Sequence, residues 1–204
     1  ALVHELAGRG VGVQLSERVL EVVSSERGVE VHTDRRTLRC STLVVAGGAW
    51  SGRIAGLPAL PVRPMRGQML TLALPGLKLS RILSGPTYLA PWRGGEVVVG
   101  ATEEDAGFAQ DTTPLGLVQL LASAIKVCPG VRDARFVRSW AGLRSSTPDG
   151  RPIIGPLPET PRVVVATGHG GQGILTGGLT GKAVAEWVMD GRSAATDAFR
   201  PKRA

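Results

Sequence analysis

The chain has 204 residues, 43% of them hydrophobic and 20% charged, with a formal net charge of +7. That balance excludes a disordered chain, and no apolar run reaches the ~18 residues of a membrane-spanning helix. Twenty of the 24 basic residues are arginine, but they are scattered and aromatics make up only 4%, so no nucleic-acid partner is expected; a basic surface suits an anionic cofactor or a carboxylate substrate.

The opening ALVHELAGRG predicts a helix over 1–9. With no initiator Met and no signal-like start, it reads as a helix joined midway in a longer chain. VGVQLS (11–16), RVLEVVSS (18–25) and GVEVHTD (28–34) are β-branched runs split by turn signals and predict strands, with a hairpin turn over 24–28. TLRCSTLVVAGG gives two more strands. The second, TLVVA (42–46), is a continuous apolar run, the pattern of a strand buried on both faces. It ends at Gly47 and Gly48, and AWSGRIAGL (49–57) predicts a short helix.

Pro58, Pro61 and Pro64 mark a joint. Beyond it RGQMLTLAL, SRILS, TYLAPW and EVVVGAT follow one another without helices, which predicts an antiparallel sheet. TTPLGLVQLLASAIKVCPG is an amphipathic helix, capped by Thr112 or Thr113, with Pro114 in its first turn and a stop at Pro129-Gly130. ARFVRSWAGLRSS predicts a long strand, TPDGRP a turn and RVVVAT a further apolar strand. A glycine loop then leads into a helix over 173–191, and the tail 192–204 is expected to be frayed.

Cys40 and Cys128 are the only cysteines and lack metal-type spacing. Cys40 is expected to be a buried free thiol, which suits the reducing cytoplasm. The three histidines, at 4, 32 and 169, show no ligand spacing, so no metal is expected. Gly168, Gly170 and Gly173 spell G-x-G-x-x-G after a strand and before a helix. A dinucleotide fingerprint also needs a second strand with an acidic residue about 20 positions on. Here the helix runs to about Asp190 and only 14 residues remain, so the adenosine-pyrophosphate role is not supported. A strand that delivers glycines to a helix N-terminus still presents free N–H groups to an anion. A tight turn needing Gly for positive φ is the other reading, and both stay open on the motif alone.

Five ordered segments, TLVVAGGAWS, RPMRGQML, YLAPWRGGEVVVGATEE, WAGLRSSTPDGRPIIGP and ATGHGGQGIL, resemble the FAD-dependent amino-acid oxidases of the D-amino-acid-oxidase superfamily. The likeness is greatest to the glycine oxidases of thiamine biosynthesis. It covers nearly the whole chain and lacks the family's N-terminal β-α-β unit, so the chain resembles the C-terminal part of such an enzyme. The implied fold class is α/β plus antiparallel β, an FAD/NAD(P)-binding fold with an antiparallel-sheet substrate domain. The implied divisions are a share of the FAD-binding domain (1–60), the substrate domain (61–145) and a return to the FAD-binding domain (146–204).

The resemblance also implies residue roles. The loop of His169, Gly170, Gly171, Gln172, Gly173, Ile174 and Leu175 would lie beside the flavin ring, where its N–H groups stabilise negative charge on the reduced cofactor. Ala46, Gly47 and Gly142 would contact the flavin through backbone, and Val19 its adenine side. Arg144 would grip the substrate carboxylate with two parallel hydrogen bonds. Tyr88, the sole tyrosine, would share the catalytic pocket with Arg144, and Glu103 and Gly171 would line it. The implied reaction is oxidation of a small amino acid (glycine, sarcosine or a D-amino acid) to its imino acid by hydride transfer to the flavin. Oxygen is the implied acceptor.

The implied partners are the missing N-terminal segment of the same enzyme and further copies in a homo-oligomer. The isolated chain is expected to be inactive. A quinone-linked dehydrogenase, and a non-catalytic subunit that does not hold FAD alone, stay open. Two positions depart from the family: Ser145 stands where Pro is frequent, and Gly171 where glycine oxidase carries an arginine.

Overall fold

The computed structural model describes residues 2–74, 76 and 78–201. A short helix α1 (Leu2–Gly8) is exposed throughout. Strands β1 (Val19–Ser25), β2 (Gly28–Thr33) and β3 (Thr37–Cys40) form an antiparallel sheet in that order. Their β-branched residues alternate, so Val22, Val29 and Val31 turn inward. A second sheet has β4 (Leu43–Val45) running parallel to β11 (Thr160–Thr167), which pairs antiparallel with β10 (Ile153–Leu157). One core joins the two sheets, with Val22, Val29, Val31, Val45, Ile153, Leu157, Val163 and Val165 buried together.

Between β4 and β10 the chain builds a five-stranded antiparallel sheet. Its strands are β5 (Arg63–Ala73), β6 (Leu83–Ser84), β7 (Tyr88–Pro91), β8 (Glu96–Gly100) and β9 (Arg135–Ser146), in the spatial order β6-β7-β8-β5-β9. Helix α2 (Pro114–Val127) covers one face. Its N-cap is Thr113, whose hydroxyl accepts the Gly116 N–H at 3.2 Å. Leu120 and Ala124 of α2 pack on Leu70, Leu72, Leu89, Val97 and Val99. Helix α3 (Gly173–Asp190) follows the glycine loop and ends at Gly191 in the left-handed conformation.

Several local expectations are corrected. Residues 11–16 form no strand: Ser16 has φ 56, and no neighbouring strand pairs with the segment. The short helix is a 3-10 turn over Gly48–Arg53. The apolar strand 42–46 is buried on one face only, since Val44 in β4 remains 40% exposed at the sheet edge. The turn expected over 147–152 is present, and it leads into an unexpected strand, β10. Cys40 is half-buried, as is Cys128, and both thiols are free. The tail to Pro201 is not frayed: a 3-10 turn over Ala194–Phe199 docks on α3. There Trp187 Nε1 donates to Thr196 Oγ1 at 2.7 Å and Ser193 Oγ to Glu186 at 2.6 Å. Residues 202–204 lie outside the described residues.

Helix α2 approaches β5 through a glycine. A Cβ at position 116 would fall 2.3 Å from Gln68 Nε2, and Gln68 is fully buried. At an exposed helical site Gly→Ala gains up to ~1 kcal/mol. Here the overpacking outweighs that gain, and Gly116→Ala is expected to lower stability by about 1–3 kcal/mol in urea unfolding.

Candidate active site

The face of the five-stranded sheet opposite α2 carries the expected substrate residues. Tyr88, Gly100, Met69 and Trp140 pair in one row across β7, β8, β5 and β9. Gly67 pairs with Gly142 and Met65 with Arg144 at successive two-residue steps. Because side chains alternate along a strand, all of these face the same way. Two glycines make room for the larger groups. A Cβ at Gly67 would lie 2.5 Å from Arg144 Nη1, and one at Gly100 would lie 2.5 Å from the Tyr88 hydroxyl. Above Gly142 the space is open. The Tyr88 hydroxyl contacts Met69 Sδ at 3.9 Å.

Arg144 Nη1 donates to the Thr102 carbonyl at 3.0 Å. Among the described residues Nε and Nη2 have no hydrogen-bond partner. That edge can take a carboxylate with two parallel hydrogen bonds. Gly171 sits beside it: a Cβ there would be 3.9 Å from Nε, an ordinary contact, and its φ is not positive.

A buried polar network holds Thr102. Glu104 accepts from Arg66 Nε at 3.2 Å and Nη2 at 2.5 Å, from Gln68 Nε2 at 2.8 Å and from the Thr102 hydroxyl. Gln68 Nε2 also donates to the Thr113 hydroxyl, and its Oε1 accepts the Thr113 N–H at 2.7 Å, which ties the network to the start of α2. Glu103 is exposed, and its neighbour Glu104 takes the interior position. Sequence reasoning passed over Glu104, Arg66 and Gln68. The signal was an Arg and a Gln at alternate positions of an otherwise apolar strand, facing a helix.

The glycine loop is clamped to β9 beside Arg144. Gly170 N–H donates to the Ser145 carbonyl at 2.7 Å, and Gly168 N–H to Ser145 Oγ at 2.9 Å. Ser145 Oγ lies 3.0 Å from Thr167 Oγ1, and the Thr167 hydroxyl donates to the Gly48 carbonyl at 2.9 Å. The hydroxyl of Ser145 thus satisfies a loop N–H that proline at this position would leave free. Gly168 has φ 78, and a Cβ there would strike Thr147 Cγ2 at 2.6 Å, so the turn itself demands glycine.

The His169 ring turns back onto α3, with Nε2 3.0 Å from Thr180 Oγ1. Burial pushes its pKa below the usual histidine value, which leaves it neutral at pH 7. Helix α3 starts without a side-chain cap at Gln172, so the first-turn N–H groups of Gly173, Ile174 and Leu175 are available. The Ile174 and Leu175 side chains are exposed.

On the other side of the 47–48 turn lies a cavity of about 650 Å³. Its lining includes Val19, Ala46, Gly47, Trp50, Arg18 and Arg53. Apolar walls with two guanidinium groups suit a planar ring attached to anionic groups. Val19, Ala46 and Gly47 are thus brought together here. Arg144, Tyr88, Gly142 and Gly171 gather on the sheet face. Among the described residues no helix is long and apolar enough to cross a membrane, and no cluster of three metal-ligating side chains occurs.

Burial alone would raise the Glu104 pKa, but hydrogen bonds from Thr102, Arg66 and Gln68 and the Arg66 charge outweigh it and hold the carboxyl below the usual value. A depressed native pKa stabilises the fold above the unfolded value of about 4.3, and that contribution is lost as pH falls through the native value. Glu104→Gln is therefore expected to flatten the acid limb of stability against pH. At pH 7 it should cost on the order of 3 kcal/mol, because Arg66 is left buried without its counter-charge. Urea unfolding from pH 3 to pH 7 checks both.

The family model described as FAD dependent oxidoreductase matches residues 1–187. The bifunctional protein ThiO/ThiG of Nostoc sp. is 37% identical over 195 residues, covering 92% of this chain and 29% of that protein. Glycine oxidase of Geobacillus kaustophilus is 32% identical over 193 residues, covering 92% of this chain and 51% of that one. The crystal structure of that species' glycine oxidase superposes with a TM-score of 0.92 at 30% identity, over 100% of this chain and 56% of the other. Iminodiacetate oxidase from Chelativorans sp. BNC1 superposes with a TM-score of 0.88 at 27% identity, over 98% and 56% of the two chains. The chain thus spans about half the length of the two oxidases and under a third of the bifunctional protein.

Proposed function

The chain belongs to the FAD-dependent oxidoreductase family, and on that premise we propose that it forms the substrate-binding half of a flavin-dependent amino-acid oxidase. The observation that carries this reading is Arg144, whose Nε and Nη2 face an open sheet surface beside Gly171 and the glycine loop. In this reading segments 1–60 and 146–204 serve the cofactor and 61–145 the substrate.

The residues present fit FAD. Open space stands above Gly48, Gly142 and Gly170, where a Cβ would meet nothing within 4 Å, and a planar ring can lie there. The uncommitted first-turn N–H groups of Gly173, Ile174 and Leu175 would hold that ring, with the loop before them kept in place by its own bonds to Ser145, while Ala46, Gly47 and Val19 in the cavity would hold the rest of the cofactor. FAD supplies a two-electron acceptor when bound. The chain's own part is to bind and orient. Arg144 takes the substrate carboxylate on its Nε/Nη2 edge, and Thr102 fixes the other side of the guanidinium. Tyr88, across the same face, limits the pocket next to Met69 and can donate to the substrate. The substrate is a small amino acid with a primary or secondary amine, and oxygen is the acceptor, in keeping with the oxidases it resembles.

Arg144→Leu in the FAD-loaded enzyme is expected to lower kcat/KM by about 2–5 kcal/mol of transition-state binding, roughly thirty- to several-thousandfold. Gly171 leaves room for two or three methylenes of substrate, a gain of roughly 1.5–2.5 kcal/mol over glycine. Sarcosine, D-alanine or D-proline should then surpass glycine, and Gly171→Arg should shift preference back to glycine. Steady-state kinetics with these four substrates decides the matter; equal kcat/KM for wild type and Arg144→Leu would remove the assignment.

The chain alone is expected to bind FAD weakly. Its exposed β4 edge and the exposed Ile174 and Leu175 leave the cofactor surfaces uncovered on one side. Purification of the 204-residue chain with a stoichiometric bound flavin, read from its visible absorbance, would contradict this.

A further inference from the structure

Ser145 and Thr167 form a hydrogen-bond relay with only one consistent direction. The Thr167 hydroxyl spends its proton on the Gly48 carbonyl. It can therefore only accept from Ser145, 3.0 Å away. Ser145 Oγ, having donated, accepts the Gly168 N–H. The order is Gly168 N–H to Ser145, Ser145 to Thr167, and Thr167 to the Gly48 carbonyl. Thr167 is 1% exposed, so water has no access to replace it. The relay joins three segments far apart in sequence: the 47–48 turn, the end of β9 next to Arg144, and the glycine loop. The same Ser145 adds a second tie through its carbonyl, which accepts the Gly170 N–H.

We propose that Ser145 and Thr167 are positioning residues that lock the two glycine turns to each other and to the Arg144 strand, so that both turns meet one flat cofactor and the bound substrate in fixed register. This rests on the flavin reading above for the identity of the cofactor, and on hydrogen-bond geometry alone for the lock. Neither side chain need touch the cofactor. Each buried hydroxyl is a donor and an acceptor at once, so removal of either breaks the whole relay and strands a polar group.

Two readouts test the proposal. In the chain itself, Ser145→Ala is expected to speed amide hydrogen exchange at least tenfold at Gly168 and Gly170. It should also speed exchange at Trp50, whose N–H closes the 47–50 turn on the Gly47 carbonyl across the relay. Thr167→Val should do the same, and the double variant should be no worse than either single one. Ser145→Thr should restore the wild-type pattern, because it keeps the hydroxyl in a strand.

In the FAD-loaded enzyme, Ser145→Ala should weaken FAD binding at least tenfold and raise KM for the amino acid, with rescue by Ser145→Thr. Unchanged exchange at Trp50, or additive single variants, overturns the lock even where FAD still binds. A wild-type enzyme that takes up no FAD instead removes the flavin reading, and with it the proposed purpose of the lock. An FAD affinity within twofold of wild type in Ser145→Ala overturns the positioning role.

Discussion

The parallel pairing of β4 with β11 sets the rest of the molecule in place. Val163, Val164 and Val165 lie in register with Leu43, Val44 and Val45. A parallel pair requires a crossover, and here the crossover contains the entire five-stranded sheet. The two strands end side by side, one in Gly47-Gly48 and the other in Gly168. Both glycine turns therefore emerge at the same end of the same sheet, the usual position for a ligand in an open α/β arrangement. The sheet that returns between them has β9 as its last strand, and near the end of β9 Ser145 bonds the glycine loop directly and the 47–48 turn through Thr167. A one-residue slip between β4 and β11 would exchange inward and outward residues and separate the turns.

The second constraint is period two along β5 and β9. It directs Leu70 and Leu72 to α2 and Gly67 and Met69 to the open face, with Arg144 above Gly67. The same alternation directs Arg66 and Gln68 inward, where apolar residues would otherwise be expected. Their burial is tolerable because Glu104 compensates both, and because the Gln68 amide bonds Thr113 at the N-terminus of α2. The network fixes the 101–104 segment, and the Thr102 carbonyl fixes Arg144. A charge pair on the covered face thereby orients a guanidinium on the open one.

Much of this was legible in the sequence. The apolar runs, the capping threonine, Pro114 and the Pro129-Gly130 stop locate α2, α3 and most strands, because these are local effects of propensity and capping. That the middle sheet is antiparallel followed from strands without helices between them; its strand order did not. What failed was tertiary. The run 11–16 has strand propensity but no partner, and β10 has a partner despite Pro156 within it. Two acidic neighbours, Glu103 and Glu104, are indistinguishable by composition. Only the register of the 101–104 segment against β5 turns Glu104 inward. The tail was misjudged because its docking rests on one buried threonine and a tryptophan on α3.

G-x-G-x-x-G illustrates the difference between a motif and a site. The letters alone fit either a tight turn or an anion cradle. Gly168 is required by its φ and by Thr147 at its back, which is the structural reading. Gly170 also sits in the left-handed region, at φ 53, though with open space above it; Gly171 has neither demand, and the uncapped N–H groups of α3 lie just beyond them. Arg144 has one side of its guanidinium committed to Thr102, so in the proposed reading a carboxylate approaches from the Nε/Nη2 side, past Gly171. The side chain at 171 would stand beside that path without displacing Arg144, since an ordinary 3.9 Å separates its Cβ from Nε. In that reading glycine at 171 widens the approach on one side and leaves Arg144 as the charge that meets the carboxylate, while Tyr88 beside Met69 bounds the other side.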